Sequence, residues 1–343
     1  MGLFKREARV LNLALQGGGA HGALTWGVLD RLLEEPLIKI GAISSTSAGA
    51  LNAVAFASGY ANGRAEGARE KLTEVWTAVA KTAPPDLISF NPFQMGRDIL
   101  GEMAGASAEQ LAQVFSPSQL NPMNIDPLRE IIETHIDFAA LRKKGGIKLF
   151  VAATEVATGR ARIFESNEMS SDVVLASACL PNVQRAVEID GVFYWDGGFS
   201  ANPDLSSLVL KSRAEDSLLV QLEPLRVDEL PKTARSINNH MNWLTFNQPL
   251  RRELEMIHGL RQARVGYFVG HNSRLLRYKA HRFHHINGGQ YTAQLSPDSK
   301  VRPDAKSLKV LFDSGRVLAD QWLVDHLGDV GKRSSVKLAD LIK

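Results

Sequence analysis

The sequence predicts an α/β fold built on a mostly parallel sheet, and three observations carry that expectation. Short apolar runs alternate with helical periodicity from the start of the chain, and turn residues sit where the two meet. A chain of 343 residues is long enough for one large core or two smaller ones. A hydrophobic fraction of 44% with 22% charged residues belongs to a folded globular protein and excludes a disordered one.

The elements follow in order. "VLNLAL" (10–15) reads as a short buried strand and residues 22–34 as a helix. "IKIGAIS" (38–44) is a second strand, Ala48 to Ser58 looks helical, and Arg64 to Ala80 is rich in the helix formers Ala, Glu and Lys. Strand, turn and helix repeated in this way open a parallel sheet with crossover helices. Residues 84–123 then mix Pro, Gly, Phe and Met without steady periodicity, which reads either as a lid or as a surface excursion with short helices. Order resumes at Asp126-Pro127, a helix cap followed by proline at the first helical position. "IKLFVAATEV" (147–156) and "GRARIFE" (159–165) are β-prone neighbours, "VFYWDGG" (192–198) is a strand end meeting a glycine turn, and "SLLVQLEPL" (217–225) is the last clear buried strand. Beyond it lie a helical stretch from Ala234 to Ala263, the His/Arg-rich "RYKAHRFHHI", and a helix near Ala305 to Leu327.

Charge divides the chain near residue 225. Residues 226–343 carry 20 Lys+Arg against 11 Asp+Glu, whereas residues 1–225 carry 20 against 26. This predicts an N-terminal α/β domain over 10–225, with 84–123 as its lid or insertion, and a basic, mainly helical region over 226–343. The basic third points to an anionic partner surface, membrane or nucleic acid; its alternative is a solvated helical face. Cys179 is the single cysteine, so no intrachain disulfide forms, which suits a reducing compartment. "MGLFKREARV" shows no apolar core of a signal peptide, and Arg6 breaks the myristoylation pattern. No run approaches the ~18 apolar residues of a membrane span. These readings predict a cytoplasmic protein, at most peripheral at the inner membrane surface.

"LALQGGGAHGALTWGVL" (13–29) raises the functional question. Gly17, Gly19 and Gly22 fit the G-x-G-x-x-G spacing of a dinucleotide turn, but the second strand, "IKIGAISS", ends without the acid that binds ribose hydroxyls. A phosphate-binding P-loop needs Gly-Lys-Ser/Thr, and here Gly22 is followed by Ala23-Leu24. The second strand ends instead in "SSTSAGALNA", with Ser47 at a sharp strand-to-helix turn. That is the nucleophile-elbow pattern, usually G-x-S-x-G; Gly49 is in place and Ser45 stands where the first glycine is usual. The amides of Gly17, Gly18, Gly19 and Ala20, at a helix start, can then donate to a developing oxyanion. His21 reads as a residue that fixes this loop. A serine needs a proton acceptor, and none of the nine histidines sits in a motif. His281, His284 and His285 lack a Cys or carboxylate at ligand spacing, so no metal is expected. Asp196 in "YWDGGFSANP" is the candidate base, with a plain Asp-Gly turn as its alternative.

The loop Gly17-Gly18-Gly19-Ala20-His21-Gly22, the elbow Ser45-Thr46-Ser47-Ala48-Gly49 and Asp196-Gly197-Gly198 together resemble the patatin-like phospholipases. The resemblance covers about residues 10–211, and "ASACLP" (176–181) is similar to the family's small-residue segment, with a packing role implied. Two departures stand out: Ser45 for glycine, and His21 where arginine or lysine is common. The resemblance implies a three-layer α/β/α sandwich and a serine acyl hydrolase with a Ser47–Asp196 dyad. It implies a covalent acyl-enzyme, a phospholipid or other acyl ester as substrate, a membrane surface as the place of work, and no cofactor or nucleic acid. An esterase for neutral lipid or storage polyester, and a non-catalytic lipid-binding regulator, are the competing readings. Oligomeric state is not legible in the sequence.

Overall fold

The computed structural model describes residues 8–82, 126–264, 274–292 and 304–342. Its frame is an eight-stranded sheet: β1 (Arg9–Leu15), β2 (Ile38–Thr46), β3 (Lys148–Glu155), β4 (Ala161–Glu165), β5 (Val187–Ile189), β6 (Val192–Asp196), β7 (Asp216–Gln221) and β8 (Arg282–Asn287). The spatial order is β5-β6-β3-β2-β1-β7-β8, with β4 also paired to β3. The five strands from β3 to β8 in that order run parallel, while β4 and β6 are antiparallel to β3, and β5 to β6. The longer helices are α1 (Gly22–Leu33), α2 (Ala48–Lys81), α3 (Pro127–His135), α4 (Ser171–Ser177), α5 (Leu205–Lys211), α6 (Ala234–Gln262), α7 (Arg274–Ala280) and α8 (Ala305–His326).

The period of two along each strand sorts the core into two sides. Leu13, Leu15, Ile43, Leu149, Val151, Leu218 and Val220 meet side chains of α1, α2, α4 and α8, including Leu24, Phe56, Val174 and Leu311. Ala14, Ala42, Phe150 and Leu219 point the other way, onto Leu208 of α5 and Leu250, Leu254 and Ile257 of α6. Both faces of the parallel sheet are covered, which is why its strands read as nearly continuous apolar runs. The result is the expected three-layer sandwich.

The helices read over 48–58 and 64–80 are both present within α2, which is two helical segments meeting at a kink where Gly63 and Arg64 leave helical geometry, Arg64 at φ 55°. One departure has a physical reason. The strand at 217–225 is not the last: "RFHHIN" forms β8 beside β7, so the sheet crosses residue 225. Burial of the polar His284 had hidden the apolar alternation there. His284 Nε2 lies 3.1 Å from Asp216 Oδ1, and its ring meets Trp322 edge-on at 5.7 Å. The segment 84–123 lies outside the described residues.

The basic C-terminal third also folds back on the acidic part. Arg282 brackets Asp216 at 2.8–3.0 Å and reaches Glu215 at 3.1 Å. Arg277 donates to the carbonyls of Leu210 and Ser212 at 2.6 and 2.5 Å, and Lys279 to that of Arg261 at 2.9 Å. Asp30 of α1 takes Arg69 of α2 at 2.8 Å and also Arg316 of α8. Helices α1 and α8 cross with their backbones in contact. A Cβ on Gly27 would fall 1.9 Å from the Phe312 carbonyl oxygen, and one on Gly315 would fall 2.0 Å from that of Leu24. Among the described residues no helix is long and apolar enough to cross a membrane.

Candidate active site

Strand β2 ends at Thr46 and α2 begins at Ala48, leaving Ser47 alone to make the turn. It does so at φ 55°, ψ −124°, a region non-glycine residues rarely enter and one that stores strain. The surroundings hold it there. The Ser47 N–H donates to Ser177 Oγ at 2.9 Å, its carbonyl accepts from Ala50 N at 2.8 Å, and Thr46 Oγ1 donates to the Ala201 carbonyl at 2.7 Å. Gly49 is required by close approach: a Cβ would lie 2.4 Å from the Leu15 carbonyl oxygen. Ser45 is buried between Leu15 of β1 and Val151 of β3, and its hydroxyl finds no partner among the described residues. The elbow forms with serine at that position.

Asp196 closes β6 and is 1% exposed. Its N–H donates to the Cys179 carbonyl at 2.8 Å, and its own carbonyl accepts from Thr154 Oγ1 at 2.8 Å. Its side-chain Oδ1 accepts from the Gly198 N–H at 2.7 Å, and the Ser47 side chain is near enough to the same carboxylate to favour its charged form. Burial pushes the carboxyl up to about 7, with the bond from the Gly198 N–H and the nearby Ser47 side chain pulling the other way. Gly197 and Gly198 begin a single helical turn that leads the chain away from the sheet edge.

The glycine loop leaves β1 and enters a short 3-10 turn, Gly19–His21, that runs into α1. Gly19 sits at φ 57°. A Cβ on Gly17 would lie 2.8 Å from Ser47 Cβ, so loop and serine are in direct contact. The expectation that Gly17 supplies an oxyanion donor is corrected, because its N–H already donates to Asn202 Oδ1 at 2.8 Å. The amides of Gly18, Gly19 and Ala20 donate to no acceptor among the described residues. They lie at the positive end of the α1 dipole. His21 is buried within the turn, and Gly22 packs where a Cβ would meet Ala48 Cβ at 2.7 Å. The elements read from sequence as loop, elbow and aspartate thus converge at the carboxyl edge of the parallel strands.

Several residues at this edge were not read as site residues. Ser177 was assigned to packing, yet it accepts the Ser47 N–H. Asn202 stands six residues after Asp196, and a polar residue ahead of proline in "SANP" was the available signal. Gln16 accepts the Leu222 and Glu223 N–H groups at 2.8 and 2.9 Å and donates to Asn247 at 3.4 Å. Phe246 and Asn247 of α6 carried no signal at all, since nothing in their spacing links them to the motifs. The clustered histidines lie elsewhere: His281 pairs with Ser217 at 2.7 Å and His285 with Gln221 at 3.0 Å.

The fold is patatin-like. The family model for Patatin-like phospholipase matches residues 13–209, more than half of the chain, and the chain belongs to that family. Among solved structures it is similar to VipD from Legionella pneumophila, at 15% identity and a TM-score of 0.40, over 94% of this chain and 67% of that one. It is also similar to the full-length SpcU–ExoU complex from the type III secretion system of Pseudomonas aeruginosa, at 14% identity and a TM-score of 0.29, over 98% of this chain and 77% of that one. No curated protein matches the sequence.

Proposed function

We propose that the protein is a serine acyl hydrolase that cleaves carboxylic esters of lipids through Ser47 and Asp196. One observation carries the reading: a serine held at φ 55° stands beside a buried carboxylate whose pKa is raised to about 7. A base with that affinity is ionised for a large share of molecules near neutral pH and still holds a proton well.

In this reading Ser47 Oγ attacks the ester carbonyl carbon as its proton passes to Asp196. The Gly18, Gly19 and Ala20 amides hold the oxyanion. Collapse expels the alcohol, which takes the proton back from Asp196, and leaves an acyl ester on Ser47. Asp196 then takes a proton from water, whose oxygen attacks the acyl carbon; the proton returns to Ser47 and the carboxylic acid departs. No step calls for a metal or organic cofactor.

Family membership favours phospholipid as the substrate class, and the same chemistry would serve neutral lipid or a storage polyester. The turn at Ser47, intact with Ser45 in place, speaks against a non-catalytic lipid-binding regulator. A membrane surface is the natural place of work. Its electrostatic attraction would rest on the exposed Arg252, Arg264 and Arg274, because Arg277, Lys279 and Arg282 are committed internally.

A fluorophosphonate probe followed by peptide mapping tests the reading. Labelling is expected at Ser47, lost in Ser47→Ala and strongly reduced in Asp196→Asn. Label at another serine, or ester turnover retained in folded Ser47→Ala, overturns it. Release of fatty acid from phospholipid, triacylglycerol and polyester by the purified protein then ranks the substrate classes. Vesicle co-sedimentation across a salt series reads the membrane contact, with binding expected to anionic vesicles and to weaken as salt rises.

A further inference from the structure

Helix α6 begins 25 residues beyond the end of the family match, yet it touches the candidate site at one turn. The Phe246 carbonyl accepts from Asn202 Nδ2 at 2.9 Å, and Asn202 Oδ1 in turn holds the Gly17 N–H at 2.8 Å. The Phe246 ring lies directly over Gly198: a Cβ built there would fall 2.3 and 2.5 Å from ring carbons Cδ1 and Cε1. The same point is 3.0 Å from Asp196 Oδ1, so the ring and the carboxylate flank one glycine. Phe199, in the turn after Asp196, packs on Phe246 with centroids 4.9 Å apart. Beside it, Asn247 receives Gln16.

We propose that Phe246 is a positioning residue of the catalytic centre, its ring closing the Gly198 side of Asp196 to water. The proposal rests on the reading of Ser47 and Asp196 as nucleophile and base. The physical argument is desolvation. A carboxylate with an aromatic wall in place of solvent loses hydration that its neutral form does not need, so its proton affinity rises. That affinity sets how readily Asp196 takes the serine proton. A residue outside the family segment thereby tunes the chemistry inside it.

Among the described residues the groups around Asp196 are few. From the start of α2 comes the Ser47 hydroxyl, from β3 the neutral Thr154, and from α6 the neutral Phe246. From the turn after α4 comes the Cys179 thiol, which burial, with the Asp196 charge adding to it, pushes up to about 12 and so keeps protonated. One further carboxyl titrates in the same range. Glu253 of α6 is pushed up to about 7 by burial and by Asp204, and it accepts from the Leu205 and Ser206 amides at 2.8 and 2.7 Å. It needs its own control.

The experiment is the pH dependence of kcat/KM between pH 5 and 9 on a water-soluble short-chain ester. It compares wild type, Phe246→Ala, Phe246→Val, Phe246→Leu and Glu253→Gln, each checked by circular dichroism and thermal melting. Fluorophosphonate labelling counts active sites in every sample. The acid limb is expected near pH 7 in wild type, about one unit lower in Phe246→Ala, between the two in Phe246→Val, and nearly restored in Phe246→Leu. Glu253→Gln is expected to leave it in place. A limb that stays put in folded Phe246→Ala or Phe246→Val overturns the proposal, as does a limb that moves with Glu253→Gln. If Ala unfolds, Val carries the same test. Failure of the parent reading looks different: wild-type Ser47 would then not take the label.

Discussion

Ser177 Oγ accepts a hydrogen bond from the Ser47 backbone nitrogen at 2.9 Å, joining the end of α4 to the turn that carries the nucleophile candidate. Both residues lie at the carboxyl edge of the sheet, and Ser177 is fully buried. A backbone held at positive φ points its N–H where no strand or helix partner waits, so a side chain must meet it. Ser177→Ala removes that partner and leaves a half-buried donor unpaired, at a cost of about 1 kcal/mol. The expected outcome is a kcat at least tenfold lower with KM little changed, read from steady-state kinetics on a soluble ester. Equal kcat in the folded variant would show that the turn holds itself.

Asp196 sets the pH dependence of both activity and stability, with opposite consequences. As the base it must be ionised, so kcat/KM is expected to fall tenfold per unit below about pH 7 and to level above it. As a buried acid with its pKa raised from 3.8, it binds more protons in the folded state than in the unfolded one between those values. Its contribution to stability is therefore present below pH 3.8 and lost as pH rises through about 7. Asp196→Asn should be inactive yet melt higher than wild type at pH 8, with the gap closing toward pH 4. Melting curves at both pH values check the sign.

Ser45 keeps a buried hydroxyl with no partner among the described residues. Burying such a group unpaired costs roughly 1–3 kcal/mol. Ser45→Ala is expected to raise stability by about 1 kcal/mol in urea unfolding and to leave kcat unchanged. Ser45→Gly should keep activity too, with part of the gain offset by the flexibility of glycine in a strand. A tenfold fall in kcat in either variant would give the hydroxyl a role in the reaction.

The edge strand β8 predicts acid lability. Burial pushes His281 down to about 3, so the folded state refuses a proton that the unfolded chain takes up below about 6.5. Stability from this group is full above pH 6.5 and is lost as pH falls toward 3. Asp216 behaves in the same sense at lower pH. Burial pushes its carboxyl up, but bonds from His284, Arg282 and the Gly331 N–H together hold it well below the usual range. His281→Asn is expected to flatten the decline between pH 6.5 and 4, as measured by urea midpoints.

The parts of the fold legible in the sequence were those written in local chemistry. Apolar runs marked β1, β2 and β3, and the Ser47 turn announced itself through Gly49, whose missing side chain lets α2 approach Leu15. Asp196 was legible only together with the glycine loop and the elbow, since Asp-Gly on its own reads as an ordinary turn. What stayed hidden was decided across long sequence separations. The Gly17 amide looked available until Asn202, 185 residues away, took it. Histidine and arginine in "RFHHIN" obscured a strand because their partners, Asp216 and Gln221, belong to the neighbouring strand. Phe246 could not be found from pattern at all, since helix periodicity says which face is apolar but not what that face meets.

The glycine-to-glycine crossing of α1 and α8 bears on how the protein is made. Gly27 and Gly315 are about 290 residues apart, so the helix that begins at the glycine loop stays without its partner until nearly the whole chain has been synthesised. At ribosomal speeds of 5–20 residues per second that wait is roughly 15–60 s. Throughout it, the side of α1 that will press against Leu311 and Phe312 lacks its cover, and Asp30 has Arg69 beside it but not yet Arg316. A nascent chain therefore carries Ser47 and Asp196 long before it can lock the loop between them. Under the proposed reading, a chain cut short before residue 305 is expected to be inactive, because α1 then lacks the helix it packs against.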